Sequence, residues 1–322
     1  MSYPQIEKLK SFSVLKLENI RSELDKNLSN SEYKDKITVI TTGSYGRHEA
    51  SEESDMDWFV IFDADLPAEE TIEKELKAIF SVVVNNVPKS VGSTGTFGHE
   101  AILKYSDMLI NIGGDQDSNR SLTRRILFLL EGAWLYGENR FDNYQKKLLQ
   151  KYIKEGTPES SVNRFLLNDI IRYYRTITTD FEHKVSEAGK SWGLRNIKLR
   201  FSRKLLYFGG ILVVSELVGK DRGHRIESAE ELFKMPVIER IAKIGRDNEK
   251  TKDILKIYDT FLEKISNNES RNELDSVVRE KRFESPVYVE LRKLSIEFSH
   301  ILAKWLVIQY PEDHSIHHSL VF

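Results

Sequence analysis

The stretch from Ile37 to Phe62 constrains the fold more than any other part of the chain. Ile37 to Thr42 reads I-T-V-I-T-T, a β-branched run that predicts a strand, and it leads directly into Gly43-Ser44. Asp55-Met56-Asp57 then opens a second apolar run, Trp58 to Phe62. Side chains alternate across a strand, so Asp55 and Asp57 are expected on one face, supported by Met56 and the run that follows. Two carboxylates on one face can share hard cations, which bridge triphosphate oxygens and neutralise charge on a departing pyrophosphate. At Gly43-Ser44, backbone amides and a hydroxyl can face a phosphate. An isolated Asp-x-Asp or Gly-Ser carries little information. Their succession, with Arg47 and Ser54 between them, points to metal-dependent transfer of a nucleotide.

The string G-S-Y-G-R-H-E-A-S-E-E-S-D-M-D resembles the signature of the DNA polymerase beta-like nucleotidyltransferase superfamily. Its spacing, G-S-x-G-R-x-E-x-x-x-x-S-D-x-D, is similar to the branch holding the nitrogen-regulatory protein uridylyltransferase, the glutamine synthetase adenylyltransferase and related domains of uncharacterised role. Ser121 to Phe141 is similar to the helix with T-x-x-L-L-E-x-R-x-L-x-G that follows the catalytic core there. Lys190 to Ile197 resembles its G-G-L-R-D-I segment, with Trp192 in place of the first Gly and Asn196 in place of Asp. These similarities span about residues 38 to 205. They imply a transfer of NMP from an NTP with Mg²⁺ or Mn²⁺ on Asp55 and Asp57, and a protein hydroxyl as acceptor. A toxin-like transferase acting on tRNA and a catalytically inactive nucleotide-sensing module are the alternatives.

The superfamily also implies a third carboxylate. Glu100, in F-G-H-E-A-I-L, and Asp115 or Asp117, in N-I-G-G-D-Q-D-S-N-R, are the candidates. Gly113-Gly114 lets the backbone approach a ligand closely, while the competing reading makes Asp117 or Ser118 the cap of the next helix. Gly43 and Ser44 are assigned to the triphosphate by amide and hydroxyl. Arg47 either clamps phosphate or pairs with Glu49 or Glu52. Arg172, Arg175, Arg195, Lys198, Arg200, Arg203 and Lys204 form a basic stripe at helical spacing. Arg195 and Lys198 are taken as nucleotide-binding, and the stripe otherwise reads as a solvated face or a seat for RNA. His314, His317 and His318 are expected in a flexible tail rather than a metal site.

At 322 residues, two domains are the default. A net charge of −2 gives no global attraction to nucleic acid or membrane. The absence of cysteine excludes disulfides, thiol catalysis and Cys-ligated zinc. No apolar stretch approaches the roughly 20 residues that cross a bilayer, and a cytoplasmic location is expected. Apolar periodicity predicts helices over 5 to 29 and 68 to 85, and Val87 to Gly98 reads as a loop. From Leu122 onward nearly everything reads as helix, including 121 to 137, 194 to 218 and 228 to 246. The fold class expected is α+β: a small mixed-sheet nucleotidyltransferase domain over 1 to 140, then an all-helical domain over 141 to 322.

Overall fold

The computed structural model describes residues 2–63, 69–87, 89, 101–186 and 191–320. The chain is α+β, and it forms two compact units, Lys8–Lys154 and Met1–Glu7 with Glu155–Phe322.

The first unit holds a four-stranded sheet of β1 (Ile37–Thr42), β2 (Asp57–Phe62), β3 (Ile102–Lys104) and β4 (Ala133–Tyr136), in the order β3-β2-β1-β4. β1 is antiparallel to both β2 and β4, whereas β2 and β3 are parallel. Alternation decides what each face carries. Ile37 and Val39 of β1, with Trp58, Val60 and Phe62 of β2, join one buried cluster with α1 (Pro4–Leu28) and α3 (Glu69–Asn86). Leu17, Ile20, Leu24 and Leu28 supply α1's stripe, and Ile72, Ile79 and Val83 supply that of α3. The opposite face carries Thr38, Ile40 and Thr42, paired across the strands with Ile61, Phe59 and Asp57. α4 (Asn119–Glu131) and α5 (Glu138–Tyr152) both touch β1.

The helix expected over 121 to 137 is corrected: it stops at Glu131 and Ala133 begins β4. Gly132 turns the backbone to extended values, φ −68° and ψ 134°, and a Cβ there would lie 2.3 Å from the Phe128 carbonyl oxygen. The aromatic run Ala133-Trp134-Leu135-Tyr136 then pairs along β1, a tertiary gain that outweighs local helical periodicity.

The second unit is helical. It comprises α6 (Arg164–Ser186), α7 (Gly193–Lys198), a π-helical turn (Leu199–Arg203), α8 (Lys204–Glu216), α9 (Arg222–Lys234), α10 (Val237–Ile244), α11 (Thr251–Ser266), α12 (Asn268–Ser276), α13 (Pro286–Gln309) and α14 (Ser315–Ser319). α8 is apolar on all sides, with Leu205, Leu206, Leu212, Val213 and Val214 fully buried, so it forms the centre of the unit. The helix expected over 228 to 246 divides at Pro236, which cannot continue it. The tail expected to be flexible instead ends in α14, where His314 caps the helix and Ile316 is buried. The His317 ring nitrogen Nε2 lies 3.0 Å from the Tyr310 carbonyl. Among the described residues no group of three or more His, Cys, Asp or Glu could hold a metal, and no helix is long and apolar enough to cross a membrane.

Candidate active site

β1 ends at Thr42 and the chain makes one helical turn, α2 (Gly43–Gly46), before the irregular segment leading to β2. Gly43 opens that turn at φ +70°, a left-handed value that costs other residues. Its bare Cα also leaves room for a neighbour, since a Cβ built there would lie 3.1 Å from the Asp57 carboxylate oxygen Oδ2. Asp57 opens β2 directly opposite Thr42, so the turn and the carboxylate meet at one end of the sheet. Met56 and Trp58 both enter the apolar cluster, which leaves Asp57 between them on the other face, half-buried, and Asp55 exposed.

Asp55 lies near enough to the same turn for its charge to act on Tyr45. Burial first, and then the Asp55 carboxylate, push the Tyr45 phenol up to about 12. The Tyr45 hydroxyl and the Thr42 hydroxyl are both buried and lack a hydrogen-bond partner among the described residues. Buried polar groups are normally paired, so the orphaned Thr42 hydroxyl, on the residue directly opposite Asp57, marks a place that takes a polar guest. Hard oxygen donors, one exposed and one half-buried, beside a glycine at the turn fit a divalent cation.

The turn is braced by a residue that sequence reasoning missed. Glu131, the last residue of α4 and buried, accepts the Gly43 amide through Oε1 at 2.9 Å and the Arg47 guanidinium through Oε2. Arg47, also buried, donates from Nε to Glu49 Oε2 at 2.7 Å. The Gly43 amide and Arg47 are therefore engaged inside the fold, and what Gly43 brings to a ligand is space. Two signals pointed to Glu131: a carboxylate at the end of the apolar run R-I-L-F-L-L, and its place as the Glu of the resembled L-L-E-x-R-x-L-x-G pattern, neither of which gave it a role. Gly46 completes the brace, because a Cβ there would lie 1.9 Å from the Glu131 carbonyl oxygen. Downstream, the Ala50 amide donates to Ser13 Oγ on α1 at 2.9 Å, and the Ser51 amide donates to Ser54 Oγ at 3.0 Å. The chain thus reaches Asp55 along a pinned path.

The third-carboxylate candidates separate. Asp117 is buried in a bidentate pair with Arg125, at 3.0 and 2.8 Å, and also accepts the Gly113 amide at 2.9 Å. Arg125 in turn donates to the Tyr152 hydroxyl at 2.7 Å. Ser118, and not Asp117, caps α4 by accepting the Ser121 amide at 3.1 Å. Asp115 is exposed, and Glu100 lies outside the described residues. Breaking a buried pair strands the other charge, so Asp117→Ala is expected to cost about 3–5 kcal/mol in stability. Chemical denaturation measures that loss. A variant that kept its stability but lost all transfer activity would instead place Asp117 at the chemistry.

Arg195, exposed, and Lys198, half-buried, belong to α7 in the helical unit. Asn196, where the resembled segment has Asp, accepts from Arg200 Nε at 2.8 Å and from the Tyr288 hydroxyl at 3.1 Å.

Residues 17–92 match the family model for the nucleotidyltransferase domain. The matched stretch contains β1, the Gly43 turn, Asp55, Asp57 and β2. No curated protein matches the chain.

Proposed function

We propose that this nucleotidyltransferase domain moves an NMP from an NTP to an acceptor hydroxyl and releases pyrophosphate. The observation that carries the reading is the meeting of the Gly43 turn with Asp57 at 3.1 Å from a would-be Cβ, with Asp55 beside Tyr45 on the same turn. Asp55 and Asp57 would hold Mg²⁺ or Mn²⁺, which supplies charge neutralisation at the phosphate oxygens when bound. Ser44, half-buried at the start of the turn, offers its hydroxyl to the triphosphate. Glu131 and Arg47 keep the turn in place, so its donors need no reorganisation as charge develops. The acceptor oxygen forms a bond to the α-phosphorus while the bond to the bridging α–β oxygen breaks. The acceptor proton passes to a carboxylate. Glu100 and Asp115 are the candidates for that role, because Asp117 is committed to Arg125.

The resemblance of G-S-Y-G-R-H-E to the uridylyl- and adenylyltransferase branch supports a protein hydroxyl as acceptor. Incubating the protein with each α-³²P-labelled NTP, Mg²⁺ or Mn²⁺, and a lysate divided into protein and RNA fractions tests this. Label is expected in protein, and only with intact Asp55 and Asp57. Label confined to RNA would transfer the assignment to a tRNA-directed enzyme, and nucleotide binding without any label would support the sensing module.

A further inference from the structure

On the helical unit, Arg200 and Lys204 stand one turn apart, with Tyr207 a turn beyond. Tyr207 stacks on Tyr174 of α6 at 4.4 Å and 14°, the Arg175 charge acts on both phenols, and that of Arg200 acts on Tyr174. We infer that Arg175, Arg200 and Lys204, with the hydroxyls of Tyr174 and Tyr207, form a phosphate-binding site within this unit.

Three observations support it. First, the cations meet neutral partners only: Arg200 Nε donates to Asn196, and Lys204 Nζ donates to Ser299 Oγ at 2.5 Å. Among the described residues no carboxylate pairs with Arg175, Arg200 or Lys204, whereas three other cations on and beside α6 are matched. Arg172 lies 3.5 Å from Asp169, Lys184 2.7 Å from Asp180, and Arg279 3.2 Å from Glu182. Second, Lys204 is half-buried beside a like charge; burial foremost, and then Arg200, hold its ammonium below the ordinary lysine range. An anion would relieve that cost. Third, the π-helical turn Leu199–Arg203 carries Arg200, and such turns are rare and concentrated at functional sites.

The chemistry favours a compact phosphate. Two guanidiniums, an ammonium and two phenolic donors can address several oxygens of a tetrahedral dianion at once. A nucleic-acid strand needs a continuous basic track, and the pairing of Arg172, Lys184 and Arg279 interrupts one. The site is independent of the transfer reaction proposed above.

The test titrates inorganic phosphate and pyrophosphate, without divalent metal, into the full chain carrying Asp57→Asn, followed by calorimetry and ³¹P NMR. Saturable binding is expected, weakened about tenfold by Arg200→Gln or by Lys204→Met, which keeps the side-chain stem. Arg175 is exposed, so Arg175→Gln should preserve the fold and still weaken binding. Unchanged affinity in a folded Arg175→Gln/Arg200→Gln protein would overturn the inference. So would binding of a short single-stranded oligonucleotide where pyrophosphate does not bind.

Discussion

Asp57→Asn is expected to lower nucleotide transfer by about a thousand-fold, the rate equivalent of roughly 4 kcal/mol, while leaving the melting temperature unchanged or slightly raised. The asymmetry follows from where Asp57 stands. Its carboxylate is half-buried against Gly43 at the mouth of the β1–β2 pair, two residues from the exposed Asp55. Two neighbouring carboxylates repel each other without a cation, so removing one charge relieves the resting protein. Asn preserves shape but is a much poorer ligand for a hard divalent ion. Thermal unfolding and steady-state turnover on the same preparation separate the two effects. A large fall in melting temperature would show that Asp57 serves the fold instead.

Glu131→Ala should show the opposite signature first. Glu131 is buried, satisfies the Gly43 amide and offsets the Arg47 charge. Removing it orphans a backbone donor and leaves Arg47 with Glu49 alone among these two carboxylates. A loss of about 3–5 kcal/mol is expected, which lowers the melting temperature on the order of 10 °C. Turnover per folded molecule should fall as well, because the turn carrying Ser44 loses its brace. Glu131→Gln keeps an acceptor for Gly43 but not the charge facing Arg47, so its stability should lie between those of Ala and wild type. If Glu131→Ala retained wild-type stability and activity, the brace would have no role in shaping the turn.

The two strands that matter most are legible in the sequence, since β-branched Ile37 to Thr42 and the run after Asp57 have no competing helical period. The Gly43 turn and the nearness of Asp57 to it were legible too, because both follow from local spacing. β4 was not: Ala133 to Tyr136 follows an apolar helix with only Gly132 between them, and the pairing with β1 that makes it a strand is a long-range fact. The same holds for Asp117. Its acidic loop looks like a ligand site in one dimension, and only folding reveals Arg125 eight residues further along, closing on it bidentately. Glu131 was hidden for a related reason, as its partners Gly43 and Arg47 lie more than eighty residues earlier. The sequence could propose that Arg47 pairs with Glu49; that Glu131 shares it needed the fold. Local chemistry announces itself in sequence, and residues that position it across the fold do not.

The central claim is that the Gly43 turn and the Asp55–Asp57 pair together make one metal–nucleotide site. Mn²⁺ binding followed by electron paramagnetic resonance, with and without a non-hydrolysable NTP, tests it most directly. Nucleotide should tighten Mn²⁺ binding in the wild type, and Asp57→Asn should abolish that coupling while the protein stays folded. Equal, nucleotide-coupled Mn²⁺ binding in the variant would contradict the account.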